Sequence, residues 1–149
     1  MNSLFQVALL AMAPISELRG AIPLGIVIYH LNSALVTITS MIFNFIPAVL
    51  VILFFDAIMP WIKRKFPRLG NVVEKFSQTR QKKHRQKVEK YGLLAIMAFV
   101  AIPFPLTGAW TGSLLSVLFE MPRLKSIMAV GAGILISGTI VLSITLATL

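Results

Sequence analysis

The chain has no cysteine, and only five of its 149 residues are acidic. The missing cysteines exclude disulfides and thiolate metal sites. Charged residues make up 13% of the chain, against about 25% in soluble globular proteins, whereas hydrophobic residues make up 57%. Together with a mean hydropathy of +0.86, this composition predicts an integral membrane protein.

Sequence motifs for catalysis are also missing. His30 and His84 are isolated, no HExxH or CxxC motif is present, and Ser16 is too far from His30 for a local serine motif. We therefore expect that the protein is not an enzyme. We expect no metal and no cofactor other than a coupling proton or sodium ion.

The positive charge is concentrated in one segment, residues 63–90. Eleven cations and two glutamates there leave nine positive charges, which equals the net charge of the chain. Between two apolar regions, this predicts a cytoplasmic linker that obeys the positive-inside bias, and not a nucleic-acid surface. Apolar residues at helical spacing predict an amphipathic surface helix in its first part, through Leu69, Val72, Val73 and Phe76. The cations expected to contact anionic lipid are Lys63, Arg64, Lys65 and Arg68.

The apolar regions on the two sides of the linker resemble each other. The string PISELRGAIPLG, which begins at Pro14, has a counterpart in PFPLTGAWTGS, from Pro103 to Ser113. Each lies between apolar arms and precedes a long apolar stretch, which is how internal repeats of transporters appear in sequence. We therefore predict a first repeat at residues 1–62, the linker at 63–90 and a second repeat at 91–149.

The apolar arms are short for a bilayer. Ser3 to Ala13 would measure roughly 16 Å as a helix, against a hydrocarbon core of about 30 Å. This permits re-entrant hairpins at 3–31 and 91–119, followed by transmembrane helices at 33–61 and 124–149. Four spanning helices, two of them kinked at proline, are the alternative. We favour re-entry because it places Arg123 and Lys125 on the cytoplasmic side with the linker.

The predicted fold is therefore an all-α integral membrane protein. It is an inverted repeat of two re-entrant helical hairpins, each followed by a transmembrane helix and joined by the basic cytoplasmic linker. We expect it in the plasma membrane with several passes. A small-residue face on the last helix, at Gly131, Gly133, Ser137 and Gly138, predicts close packing within the chain or across a homodimer.

Glu17 and Arg19 are the charged residues of the run from Met1 to Asn32. Each such side chain costs about 2.5 to 3.5 kcal/mol at mid-bilayer, which indicates a functional site. Because prolines and Gly20 disfavour a helix here, we expect extended backbone that aims both side chains into one cavity. Arginine can hold an oxyanion, and a buried glutamate can exchange a proton. A structural ion pair that fixes the tip is the alternative.

Other polar or small residues are predicted at the same depth. Helices that begin near Ala21 and Ala109 would supply free backbone N–H groups to an anion. The further candidates for substrate contact are Ser16, Gly20, Asn44, Thr107, Gly108, Trp110 and Thr111. For Asn44 an interhelical hydrogen bond, and for Trp110 simple packing, are the alternatives.

The strings PISELRGAIPLG and IPFPLTGAWTGS, joined by a basic linker, are similar to the two signature stretches of the small multidrug export protein family, which resembles the wider DedA group. The resemblance covers nearly the whole chain. It implies inverted re-entrant hairpins and, from the DedA group, proton- or sodium-linked movement of polyprenyl-phosphate carrier lipids between leaflets. By position, Glu17 matches the acidic residue of the first hairpin and Arg19 the adjacent arginine. Unlike DedA proteins, this chain has no cation between Tyr91 and Met121.

We therefore expect a secondary transporter or lipid flippase. In this hypothesis an anionic head group meets Arg19, and protonation of Glu17 switches access between the two sides of the membrane. A small-molecule exporter, a passive ion channel and a non-transporting assembly factor are the alternatives. The expected partners are membrane lipids, the anionic substrate and a second copy of the chain.

Overall fold

The computed structural model describes residues 2–65, 67–68, 71, 85–104 and 107–149. Within these residues all regular structure is helical, which confirms the all-α class. The elements in chain order are α1 (Ser3–Met12), α2 (Glu17–Pro23), a π-helical turn (Leu24–Ile28), α3 (Ser33–Lys65), α4 (Arg85–Ala101), α5 (Ala109–Leu118) and α6 (Arg123–Ala147).

Two helices are long and apolar enough to cross a membrane. They are Ser33–Ala57, within α3, and Arg123–Ala147, each of 25 residues, with mean hydropathies of 2.3 and 2.2 over their most apolar 18 residues. A helix of that length measures about 37 Å, which exceeds the hydrocarbon core of about 30 Å. Only 28% and 33% of the most apolar 18 residues of each helix are buried. Since most of this apolar surface faces outward, the helices are typical of a membrane protein.

The two long helices pack against each other in opposite directions. Gly138 of α6 lies against Met41 near the start of α3, whereas Arg123 pairs with Asp56 near the other end of α3. The first hairpin packs on α3, and α4 packs on α6. The shorter α2 and α5 each contact both long helices, so they lie in the centre of the molecule.

The small-residue face of α6 packs within the chain. A Cβ on Gly133 would lie 2.6 Å from the Cβ of Val100 and 2.8 Å from the carbonyl oxygen of Met97. The backbones of α4 and α6 therefore approach more closely than a side chain would allow. The close packing predicted for this helix is confirmed.

The first break in the chain lies between α1 and α2. Ala13 adopts extended backbone, with ψ of 135°, as expected for a residue that precedes proline. The hydroxyl of Tyr29 donates a hydrogen bond to Oε1 of Gln6. Because this contact joins the far ends of the two arms, α1 and the segment after the break run back to back as a hairpin.

The prediction of extended backbone at Glu17 and Arg19 is wrong. The structure forms helix α2 from Glu17, so this helix begins four residues before the predicted Ala21 and runs through Gly20 to Pro23. Pro23 is tolerated because it is the last residue of α2 and the chain then widens into a π turn, with the Tyr29 N–H donating to the Leu24 carbonyl at 3.1 Å. The predicted helix start at Ala109 is confirmed.

The ends of the basic linker continue the neighbouring helices. Helix α3 runs on through Lys65, whose ammonium lies 5.1 Å from the centre of the Trp61 ring, and α4 begins at Arg85. The four cations predicted to meet lipid are exposed: Lys63, Arg64, Lys65 and Arg68. Leu69, Val72, Val73 and Phe76, on which the predicted amphipathic helix rests, lie outside the described residues.

Candidate functional site

Two breaks in the helical structure meet in the centre of the molecule. The first tip is residues 12–19, from the last residue of α1 into the first turn of α2. The second tip comprises the described residues 102–104 and 107–110, from the end of α4 into the first turn of α5. Side chains of each tip bind backbone groups of the other. We call this contact region the tip junction.

The carboxylate of Glu17 caps helix α5. Its two oxygens accept hydrogen bonds from the backbone N–H groups of Ala109 and Trp110, each at 3.3 Å. The first N–H groups of a helix have no partner inside the helix, and negative charge there is stabilised by the helix dipole. The N-cap position itself is Gly108, which has no side chain to do this. Glu17 therefore acts as the cap from the opposite half of the chain, and it is only 5% exposed.

The backbone is unusual on both sides of this contact. Glu17 has φ of +48° and Gly108 has φ of +155°. A left-handed residue other than glycine is uncommon and costs about 1 to 3 kcal/mol. A Cβ on Gly108 would overlap the carboxylate of Glu17. The junction therefore requires glycine at residue 108 for its backbone conformation and for space.

Arg19 binds the second tip from the same side. Its Nη1 donates to the carbonyl oxygen of Phe104, and its Nη2 donates to Oγ1 of Thr107 at 3.3 Å. Nη2 also lies 3.8 Å from Oε2 of Glu17. Side chains two residues apart on a regular helix point in different directions, but Glu17 is the first residue of α2 and has left-handed backbone. This local geometry lets both charges face the second tip.

Thr107 holds the second tip together. Its hydroxyl oxygen lies 2.7 Å from the carbonyl oxygens of both Ile102 and Phe104, and it accepts from the Phe104 N–H at 3.3 Å. The carbonyls at the end of a helix have no partner within it. Thr107 and Arg19 therefore satisfy the backbone that follows α4.

Two side chains donate hydrogen bonds to backbone carbonyl groups at the end of α1 in the same way. The indole Nε1 of Trp110 donates to the carbonyl oxygen of Met12 at 3.0 Å. The hydroxyl of Ser16 donates to the carbonyl oxygen of Leu10 at 2.7 Å. Trp110 thus contributes to the junction twice, through its backbone N–H to Glu17 and through its ring to α1.

Asn44 lies beside the junction on α3. Its side chain faces the carboxylate of Glu17 and is 1% exposed. Within the described residues, neither amide atom of Asn44 has a hydrogen-bond partner of ordinary geometry, and the same holds for the hydroxyl of Ser40, one turn away. A buried polar group without a partner costs about 1 to 3 kcal/mol. Asn44 therefore lies next to the first tip, as the sequence predicted, and its amide faces Glu17 without a hydrogen bond of ordinary geometry.

The other predicted site residues take less central positions. Gly20 lies in α2, where an added Cβ would be 3.0 Å from the Cβ of Ser16. Thr111 lies half-buried in the first turn of α5. Of the four exposed cations, three lie in the last turn of α3 and Arg68 follows it, so they are roughly 28 Å or more along the helix from Asn44. The structure does not bring these cations to the tip junction.

The sequence analysis missed two parts of the site. Glu17 and Arg19 bind mainly backbone groups of the second tip, among them the carbonyl of Phe104, and backbone groups leave no signature in a sequence. Ser40 was also missed, although its position four residues before Asn44 could have indicated it. Among the described residues, no cluster of three or more His, Asp or Glu side chains could hold a metal ion.

The comparisons with known proteins agree with the motifs of the two tips. Neither the curated proteins nor the solved structures contain a significant match to the chain. Residues 17–140 match a family described as "Putative small multi-drug export protein". That range covers more than half of the chain, begins at Glu17 in the first tip, includes the second tip and confirms the family expected from the sequences of the tips. The chain therefore belongs to the small multi-drug export protein family.

Proposed function

We propose that this protein is a membrane transporter in which the tip junction opens and closes under the control of a proton on Glu17. The substrate we propose is an anionic amphiphile, such as a polyprenyl-phosphate carrier lipid. The observation that carries the proposal is that one buried carboxylate, Glu17, joins the two halves of the chain at their central breaks.

Protonation of Glu17 would change how strongly the two tips bind each other in the tip junction. An ionised Glu17 accepts two hydrogen bonds from α5 and attracts Arg19. Hydrogen bonds to charged groups contribute about 1.5 to 3 kcal/mol each, roughly twice as much as neutral ones. Protonation would therefore weaken the junction by a few kcal/mol. Differences of that size separate two populated conformations of a protein.

An open junction would expose an anion site. Arg19 would release the Phe104 carbonyl and Thr107, so its planar guanidinium would be free for a phosphate or carboxylate. The N–H groups of Ala109 and Trp110 would lose their cap and could bind the same anion at the start of α5. The event that protonates Glu17 would thus create the site for the head group, which links proton and substrate.

The surface around the tips suits a substrate with an apolar tail. Ile15, Ile102 and Phe104 are 98%, 56% and 65% exposed. Large exposed apolar side chains next to a charged pair are consistent with contact between this region and hydrocarbon. A lipid could keep its chains on this surface while its head group meets Arg19.

We further propose that both hairpins are re-entrant and inverted relative to each other. Helices α1 and α5 have 10 residues each, about 15 Å, which is half of the hydrocarbon core. Arg123 pairs with Asp56 and Lys125 pairs with Glu89, so the loop after α5 lies at the same end of the molecule as the linker. These contacts support a second hairpin that enters and leaves on the cytoplasmic side of the plasma membrane.

We also propose that two copies of the chain enclose the pathway. Two spanning helices and two half-depth hairpins form little of an enclosure around the tips.

The test is transport by the purified protein in vesicles with an imposed pH gradient. The probes are a fluorescent short-chain polyprenyl phosphate and, for the small-molecule alternative, a fluorescent drug-like cation. We expect the gradient to speed movement of the phosphate, and we expect Glu17→Gln to abolish this effect because glutamine cannot be ionised. Asp56→Asn is the matched control, since Asp56 is an exposed carboxylate away from the tips. Gradient-driven movement that persists in Glu17→Gln would refute the role of this proton.

A non-transporting assembly factor is the second candidate. It is favoured by the observation that Glu17 and Arg19 already have partners within the chain. In that case neither probe moves in the unmodified protein, and neutralising Glu17 changes only the stability. Saturable movement of either probe would exclude it, and unsaturable current in planar bilayers would instead indicate a channel.

A further inference from the structure

A second polar cluster adjoins the tip junction on the side of α3. It consists of Ser40, Asn44 and the carboxylate of Glu17. Within the described residues the hydroxyl of Ser40 has no hydrogen-bond partner, and the amide of Asn44 faces the Glu17 carboxylate without a hydrogen bond of ordinary geometry. These two residues are 0% and 1% exposed. They lie four residues apart, so they occupy one face of the helix. Such a set needs a ligand, because protein interiors rarely leave three buried polar atoms unpaired.

The charges around Glu17 argue against a cation as this ligand. Arg19 lies 3.8 Å from Oε2 of Glu17, and two backbone N–H groups of α5 already bind the carboxylate. The charged residues on the described parts of α3 and α6 lie toward the linker end of these helices, and α1 and α5 have none. The carboxylate is therefore already neutralised locally. The unpaired atoms are a hydroxyl, an amide carbonyl and an amide NH₂, which are neutral donors and acceptors.

Water fits these groups. A buried water makes about three hydrogen bonds to polar atoms that otherwise lack partners. We propose that Ser40, Asn44 and Glu17 bind internal water, and that this water carries protons to Glu17. The buried polar atoms of the cluster support the water site, whereas the delivery of protons rests on the proposed function.

The polar face of α3 indicates the direction of this route. Toward the start of α3 it continues with Thr37, which is 6% exposed and donates to the carbonyl of Ser33. In the other direction Asn44 is followed by Ala48 and Ile52, which are 0% and 1% exposed and apolar. Protons would therefore reach Glu17 from the end of α3 at which Ser33 lies.

The experiment uses the absence of native cysteine, because a single introduced thiol has an S–H vibration that no other residue obscures. Ser40→Cys and Ala48→Cys are a matched pair, since both positions are four residues from Asn44 and both are 0% exposed. In vesicles transferred to heavy water, infrared spectroscopy follows the exchange of S–H for S–D. We expect exchange in Ser40→Cys to be about tenfold faster or more than in Ala48→Cys, because exchange requires contact with water. Equal rates would overturn the proposal.

If a thiol variant does not fold, the stability of Ser40→Ala tests whether the cluster binds water. Loss of a hydroxyl that binds water leaves that water with fewer partners, and the melting temperature should fall. Loss of a dry, unpaired hydroxyl should leave the melting temperature unchanged or raise it, and that result would overturn the water site.

Neither measurement depends on transport. Unmodified protein that moves no probe but shows fast exchange in Ser40→Cys would refute the proposed function and keep the water site. Proton-driven transport with slow exchange in Ser40→Cys would keep the proposed function and refute the water site.

Discussion

Replacement of Gly108 by alanine tests the tip junction most directly. The added methyl group would overlap the carboxylate of Glu17, and it would sit on a backbone with φ of +155°. The backbone strain costs about 1 to 3 kcal/mol. Displacement of the carboxylate weakens charge-assisted bonds to α5 that contribute about 1.5 to 3 kcal/mol each. We therefore expect Gly108→Ala to lose roughly 3 to 5 kcal/mol.

The assay is thermal unfolding of the purified protein in detergent, followed by circular dichroism. For a chain of this size about 1 kcal/mol shifts the melting temperature by roughly 2 to 4 °C, so we expect a fall of roughly 6 to 20 °C. Gly131→Ala is the matched control, because a Cβ there would lie 3.2 Å from the ring of Phe45, at the end of a side chain that can shift. We expect Gly131→Ala to change the stability by less than about 1 kcal/mol.

A double-mutant cycle separates strain from overlap. With Glu17→Ala as the background, the carboxylate is gone and Gly108→Ala should cost only the backbone strain, about 1 to 3 kcal/mol. An equal loss in both backgrounds would refute the contact between these two residues. A loss no larger than that of Gly131→Ala would refute the requirement for glycine altogether.

Two further substitutions test other contacts of the fold. Trp110→Phe keeps most of the ring but removes the hydrogen bond to the Met12 carbonyl, and we expect a loss of about 1 to 2 kcal/mol in the same unfolding assay; unchanged stability would show that this bond contributes nothing. Gly133→Ala places a methyl group 2.6 Å from the Cβ of Val100 and 2.8 Å from the Met97 carbonyl, so we expect a loss of about 1 to 3 kcal/mol as α4 and α6 move apart. A gain in stability would contradict the close packing of these helices.

The sequence predicted the parts of this fold that depend on composition and on the positions of proline and glycine. The apolar stretches that begin at residues 33 and 124 are long enough to predict membrane-spanning helices from their length and composition alone. The break after α1 follows from Pro14, which lacks an N–H and restricts Ala13 before it. The close packing of α6 follows from its glycines, because they leave no side chain to hold a neighbour away.

The conformation of the first tip could not be predicted in the same way. Gly20 and Pro23 both disfavour a helix when taken alone, yet α2 contains them. Pro23 is the last residue of α2 and costs one backbone bond at most, and the π turn after it absorbs the change in geometry. Buried packing of α2 against α1 and α3 outweighs the local preference of these residues.

The site was predicted in its residues but not in its contacts. Glu17, Arg19 and Thr107 were identified because charge and breaks are costly in an apolar chain. Their partners are backbone atoms of the opposite tip, and which carbonyl or N–H is reached depends on the meeting of two segments some ninety residues apart. Arg19 and Thr107 belong to the two similar strings PISELRGAIPLG and PFPLTGAWTGS, but this similarity alone did not show that the two side chains touch.

The cap on α5 has a consequence for biosynthesis. Glu17 leaves the ribosome long before Ala109 and Trp110, and at about 5 to 20 residues per second the delay is roughly 5 to 20 seconds. During that interval the acid lacks its two N–H donors from α5 and has Arg19 as its neighbour. We therefore expect the nascent first hairpin to wait in the translocon or to insert with its carboxyl protonated. A truncated message that stops before codon 109 should therefore yield a first half that the quality-control proteases of the membrane recognise and degrade.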